Sequence, residues 1–203
     1  MIAFEEYAKI KNNYCLCYFG QCDEYLIMLE ALRPKIERSF PGMDFYISCR
    51  DESVNVLSTK DKILPISELR IKKNQFAHIK ELKYEEGCHP IEQILHSCDI
   101  EDFTITPEPI QNSTTKAVIV THNTYPTDPM KDKHIEIARR IAESKGFEVE
   151  IGEEWENAGL VIGVESVPFL RAGIAGIPII LADTGIGRNL YQNMFPYMEI
   201  LPF

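Results

Sequence analysis

Apolar runs of strand length alternate with segments of helical period along most of the chain. Tyr14 to Phe19 (YCLCYF) is a short continuous apolar run, the pattern of a strand covered on both faces. Gly20 ends it. From Asp23 the spacing changes: Leu26, Leu29, Leu32, Ile36 and Phe40 recur at three and four residues, which is one face of a helix. Asp23 stands where an N-cap belongs and Glu24 follows in the first turn. Pro41-Gly42 stops this helix, and Met43 to Cys49 (MDFYISC) predicts a second strand.

Between Arg50 and Glu86 the pattern is less regular. Val54 to Leu57 and Ile63 to Ile66 predict short strands, and Gln75 to Tyr84 suits either a strand or an amphipathic helix. Pro90 opens a helix through Ile91, Ile94 and Leu95 that ends near Cys98. Thr104 to Thr115 (TITPEPIQNSTT) has no apolar period and reads as a linker.

The alternation then restarts. Ala117 to Thr121 (AVIVT) predicts a buried strand, followed by a polar loop with two prolines and a helix from Lys131 to Lys145. That helix turns Ile135, Ala138, Ile141 and Ala142 inward and ends on Gly146. Strands are predicted at Phe147 to Ile151, Leu160 to Val164 and Ile177 to Ala182. Helices are predicted at Pro168 to Ala175 and from near Asn189. The expected fold is α/β: two small doubly wound, Rossmann-like halves with mostly parallel sheets. Residues 1–104 form an N-terminal domain, 105–115 a linker and 116–203 a C-terminal domain.

Composition narrows the function more than the fold. With 203 residues, 45% of them hydrophobic, the chain can bury one generous core or two modest ones. A formal net charge of −10 argues against a nucleic-acid partner, which calls for clustered Lys and Arg. It does not exclude a nucleotide ligand held by a few local donors. No apolar run reaches the roughly 18 residues of a membrane span, and the start lacks the pattern of a signal peptide. A cytoplasmic protein is expected, its six cysteines serving mainly as small hydrophobes.

In doubly wound sheets, ligands sit outside the carboxyl ends of the strands, where loops meet helix N-termini. Residues 20–23, 122–130, 165–168 and 183–189 fill such places. Asp23 is either an N-cap or a general base at the mouth of a cleft. Glu165, directly after a buried strand, is placed to accept two hydrogen bonds from a ribose, or to cap the helix that Pro168 opens. Thr124, Lys131 and Lys133 offer a hydroxyl and ammonium groups to a diphosphate at a helix N-terminus, although lysines there are commonly only solvated. Thr184 and Gly185 begin a short Gly-x-Gly turn that suits phosphate or simply caps the next helix.

Cys88-His89 with His96 and Cys98 has metal-ligand residue types but not a zinc spacing, and no metal is expected there. Gly-x-Ser-x-Gly, Walker A and His-Glu-x-x-His sequences are absent.

Two stretches carry a family resemblance. Gly20 to Cys49 (GQCDEYLIMLEALRPKIERSFPGMDFYISC) resembles the first βαβ of the ADP-heptose:lipopolysaccharide heptosyltransferase family, glycosyltransferase family 9. That family opens with a Gly-Asp loop, a Leu-rich helix with a Pro-x-Leu segment, Phe-Pro-Gly or Phe-Pro-Asp, and a strand. Val161 to Pro178 (VIGVESVPFLRAGIAGIP) is similar to its donor-site segment, where Gly-Val-Asp-Thr-Gly precedes an Ala-rich helix. His122 to Lys131 is more loosely similar to its phosphate-binding loop.

The resemblance implies a shortened GT-B fold that takes a nucleotide-sugar donor on the C-terminal half and a glycan or small-molecule acceptor on the N-terminal half. It implies no required metal or other cofactor. Asp23 stands at the position of the catalytic Asp, Thr124 and Lys131 at those of the diphosphate contacts, and Glu165 and Ser166 at those of Asp and Thr beside the nucleotide sugar. Val167 replaces a family Gly and Leu170 a family His. A glycosyltransferase is therefore the first expectation. The alternatives are a nucleotide- or sugar-binding protein of the same fold without catalysis, and an enzyme related to nucleotide-sugar 2-epimerases. Oligomeric state is left open.

Overall fold

The computed structural model describes residues 13–20, 23–39, 41–82, 92, 100, 102–105, 107, 114–121, 130–182 and 188–201, the last stretch by backbone alone at 188–190. The chain divides into two compact units, Met1–Phe103 and Thr104–Phe203. Among the described residues each unit holds one wholly parallel sheet with helices between its strands.

The first unit runs β1 (Asn13–Tyr18), α1 (Asp23–Ser39), β2 (Asp44–Cys49), a 3-10 turn (Glu52–Val56), β3 (Ile63–Pro65), α2 (Ile66–Lys72), a second 3-10 turn (Lys73–Gln75) and β4 (His78–Leu82). Strand order is β3-β2-β1-β4, with Tyr18 of β1 opposite Cys49 of β2 and Leu82 of β4. Successive side chains of a strand face opposite sides of the sheet. Cys15 and Cys17 accordingly share one face and pack on Leu69 of α2, with Tyr46 and Phe76 alongside. Tyr18, on the other face, meets Tyr25 of α1 edge-on at 5.4 Å. Both faces are covered, which is why YCLCYF carries no polar alternation.

The predicted period of α1 holds: Leu26, Leu29, Leu32 and Ile36 are all fully buried. Pro34 lies inside this helix and removes one backbone donor, yet the helix continues because its apolar face is already committed to the sheet. Val54 to Leu57 does not form the expected strand. It belongs to the 3-10 turn, closed by the Leu57 N–H on the Val54 carbonyl at 3.3 Å. Within the stretch from Gln75 to Tyr84, His78–Leu82 forms the strand β4. Ile66 to Lys72 forms a helix where only the end of a strand was expected, because Pro65 closes β3 after three residues. The helix expected after Pro90 lies outside the described residues except for Glu92.

The second unit runs β5 (Lys116–Val120), α3 (Asp132–Ser144), β6 (Glu148–Ile151), β7 (Leu160–Gly163), α4 (Val167–Ile174), β8 (Ile179–Leu181), α5 (Arg188–Met194) and β9 (Glu199–Ile200), in the order β6-β5-β7-β8-β9. Ala117, Ile119, Leu160, Ile162 and Ile180 form one core face with Ala138 and Ala142 of α3. The neighbouring Ile179 points oppositely, toward Gly173 of α4 and Phe195. Ile105 is buried and donates its N–H to the Met194 carbonyl at 2.8 Å, and the Thr114 hydroxyl donates to the Asn157 carbonyl at 2.9 Å.

The stops of α3 and α4 are built alike. Gly146 (φ 85°) and Gly176 (φ 87°) adopt the left-handed conformation. After each, the next N–H reaches back into the last turn: Phe147 to the Ala142 carbonyl at 3.0 Å, and Ile177 to the Ala172 carbonyl at 2.9 Å. Each stop returns the chain to the sheet within a few residues.

Gly163 ends β7 against β5. A Cβ at this position would lie 2.5 Å from the Val120 carbonyl oxygen and 2.9 Å from the Val120 Cβ. Gly163→Ala is therefore expected to destabilise the protein by about 1–3 kcal/mol, since the colliding atom is backbone and cannot rotate away. A thermal midpoint equal to wild type would show that the two strands separate freely.

Candidate functional site

Parallel strands place all their carboxyl ends on one edge of a sheet, and the loops leaving that edge form the site. In the first unit Asp23 follows β1 and is the first residue of α1. Among the described residues its carboxylate is not spent on backbone N–H groups of its own helix. The Ser53 hydroxyl donates to Oδ1 at 2.8 Å, and the Arg50 guanidinium lies 3.6 Å from the same oxygen. Neither contact uses Oδ2. The capping reading of Asp23 thus gives way to a carboxylate aimed across the sheet edge.

Arg50 and Ser53 arrive there because β2 is the hydrogen-bonded neighbour of β1 and ends level with it, Cys49 opposite Tyr18. Arg50 is the next residue, and its second arm binds Glu52 at 2.9 Å. Ser53 is 1% exposed and sits in the 3-10 turn, its N–H bonded to the Arg50 carbonyl at 3.0 Å. The turn is tied down on both sides. Lys60 donates to the Val54 and Leu57 carbonyls, and Glu30 of α1 accepts the N–H groups of Ser58 at 3.0 Å and Thr59 at 2.7 Å. Asp51 accepts the Ser67 N–H at the start of α2, at 3.1 Å.

Sequence reasoning missed Arg50 and Ser53. They directly follow a buried strand, as the other candidate loops do. Reading Val54 to Leu57 as a strand left no room for the turn that brings Ser53 back.

In the second unit the strand order reverses direction at β5/β7: the chain leaves β5 for β6 on one side, then crosses to β7 on the other. Ligand crevices form at such switch points. Val120 pairs with Gly163, so the loops after β5 and β7 leave side by side. The first is closed at its base by the Met130 N–H on the Thr121 carbonyl, at 2.9 Å. Lys131 follows in an extended conformation at the N-cap position of α3, where no side chain caps the helix. A lysine cannot accept a hydrogen bond, so the first N–H groups of α3 lack a cap from this position.

Glu165 leaves β7, half-buried. The capping role considered for it falls to Ser166, whose Oγ accepts the Phe169 N–H at 3.4 Å while the residue is 1% exposed. Glu165 and Lys131 are thus placed by adjacent strand ends. Thr124, Thr184 and Gly185 lie outside the described residues, as do Cys88, His89, His96 and Cys98. Among the described residues no three His, Cys, Asp or Glu side chains gather in a metal-binding group, and no helix is long and apolar enough to cross a membrane.

With the geometry in place, comparison with known proteins adds the fold. No protein-family model and no curated protein matches this sequence. Solved structures do. The dodecameric iron-containing heptosyltransferase TibC in complex with ADP-D-β-D-heptose matches 94% of this chain and 63% of its own, at a TM-score of 0.61 and 12% identity. The iron-containing glycosyltransferase TibC from enterotoxigenic E. coli H10407 matches 86% of this chain and 59% of its own, at 0.57 and 10%. The E. coli heptosyltransferase WaaC with ADP matches 93% of this chain and 92% of its own, at 0.51 and 9%. The chain thus spans less than two thirds of the TibC chains and nearly all of the matched WaaC chain. It has the two-sheet α/β fold of these GT-B-like heptosyltransferases, as the resemblance of its two motifs implies.

Cys49 reports on the first site. Burial foremost, then the charges of Asp23 and Asp51, push its thiol up to about 11. A raised value keeps the thiol neutral, so at pH 8 only about a thousandth is the reactive thiolate. Iodoacetamide is expected to leave Cys49 unlabelled in the folded protein at pH 8 and to label it after unfolding, as read by mass spectrometry. Because burial is the larger cause, Asp23→Asn should not expose it to labelling; rapid modification of the folded wild type would contradict this description.

Proposed function

We propose that the protein is a glycosyltransferase, moving a sugar from a nucleotide-sugar donor to a hydroxyl of a glycan or small-molecule acceptor. One observation carries the reading. On a heptosyltransferase fold, the carboxylate at the first strand-to-helix turn is free of capping duty and held by Ser53 and Arg50.

In this reading the second unit takes the donor. Glu165 accepts hydroxyls of the ribose, and the diphosphate lies at the start of α3 against Lys131 and Thr124, with Thr184, Gly185 and Ser166 lining the remainder. The first unit takes the acceptor. Asp23 accepts the proton of the acceptor hydroxyl as that oxygen attacks the anomeric carbon. The bond from the anomeric carbon to the diphosphate oxygen breaks, and the nucleoside diphosphate leaves. Its developing charge is offset by Lys131 and the N–H groups at the start of α3. ADP-heptose, the donor in the TibC complex, is the first to try. A cytoplasmic setting fits this activity, because sugar nucleotides are cytosolic substrates. The unbridged, buried Cys15 and Cys17 are in keeping with it.

Asp23→Asn keeps the size of the side chain and one oxygen to accept from Ser53, but cannot take a proton. Its rate of ADP release from ADP-heptose is expected to fall by about a hundredfold or more, with ADP binding by calorimetry unchanged. Wild-type turnover in Asp23→Asn would remove Asp23 from the mechanism. ADP binding without release by the wild type, across nucleotide-sugar donors and glycan acceptors, would favour a binding protein of the same fold.

A further inference from the structure

A general base works best when one oxygen is anchored and the other faces the substrate, because a fixed carboxylate loses no orientation when the acceptor arrives. Asp23 has this arrangement. Both its contacts, the Ser53 hydroxyl at 2.8 Å and the Arg50 guanidinium at 3.6 Å, converge on Oδ1. The anchoring groups are themselves held. Ser53 is buried in a turn fixed by Lys60 and Glu30, so its hydroxyl has little freedom to turn elsewhere. Arg50 is clamped by Glu52 at 2.9 Å, and its Nε is buried with no hydrogen-bond partner among the described residues. The guanidinium is therefore oriented by its two carboxylates, donating from one arm to Glu52 at 2.9 Å and lying with the other 3.6 Å from Asp23.

We infer that Ser53 and Arg50 are positioning residues that pin Oδ1 of Asp23 and leave Oδ2 as the oxygen that takes the acceptor proton. This rests on the transferase reading of Asp23 and goes beyond it, because neither residue belongs to the motifs that carry the family resemblance. The alternative is a purely structural tie between the start of α1 and the turn after β2. The two differ in what is lost. A structural tie affects stability and leaves the rate constant of folded protein intact, whereas positioning affects the rate constant alone.

The experiment uses the full chain with ADP-heptose and measures ADP release, thermal midpoint and calorimetric ADP affinity. Ser53→Ala removes the donor to Oδ1 with the loss of one oxygen atom. It is expected to lower kcat by about tenfold with KM for the donor unchanged. Arg50→Ala is expected to act in the same direction, and Arg50→Lys, which restores the charge, to recover part of the loss. Arg50 is partly exposed, so its variants remain informative if Ser53→Ala proves unstable. Ser53→Ala and Arg50→Ala with wild-type kcat, beside an inactive Asp23→Asn, would overturn the positioning role and leave the base in place. A fully active Asp23→Asn, or wild-type protein that releases no ADP, would overturn the base and this inference together.

Discussion

Parallel strand pairing is the constraint on which the rest of the structure depends. A parallel pair cannot be joined by a tight turn; each strand must be followed by a crossover that returns the chain to the same starting edge. In each sheet of this protein every strand therefore ends on one edge, and every loop after a strand opens there. Pairing of Tyr18 with Cys49 brings the loop after β2 beside the loop after β1, and pairing of Val120 with Gly163 does the same for the loops after β5 and β7. Residues far apart in sequence become neighbours because the backbone registers leave no other arrangement.

What happens at those edges is decided by which polar group finds which partner. Asp23 opens a helix whose N–H groups would welcome its carboxylate, yet the carboxylate goes to Ser53 and Arg50. Ser166 takes the opposite course: its hydroxyl accepts from its own helix. A charge half-removed from water and held by a cation and a hydroxyl is a group prepared for chemistry or recognition. A capping hydroxyl is a group already in use. That difference, more than residue type, separates a carboxylate held across a sheet edge from a hydroxyl committed to its own helix.

Much of the fold was legible because the apolar periods are clean where both sheet faces are covered. YCLCYF, AVIVT and the Leu26–Ile36 stripe each have one reading, and the glycines after α3 and α4 mark stops that only a left-handed residue makes well. Legibility failed where short elements depend on distant partners. Val54 to Leu57 looks like a strand by composition, but it coils into a 3-10 turn because Lys60 and Glu30 capture its carbonyls and the N–H groups beyond it. With the turn went Ser53, which reaches Asp23 through that coil, and attention to Arg50, which directly follows β2. Lys131, Glu165 and Ser166 could be singled out because they stand at the starts of clean helical patterns, but that Ser166 caps α4 required the geometry.

The central claim is that a heptosyltransferase-like fold here carries a nucleotide-sugar site at the β5/β7 edge. A crystal structure of the full chain grown with ADP tests it most directly. The account predicts the ribose within hydrogen-bond reach of Glu165 and the diphosphate at Lys131 and the start of α3. ADP bound against any other edge of the second unit, or no ADP bound at millimolar concentration, would contradict it.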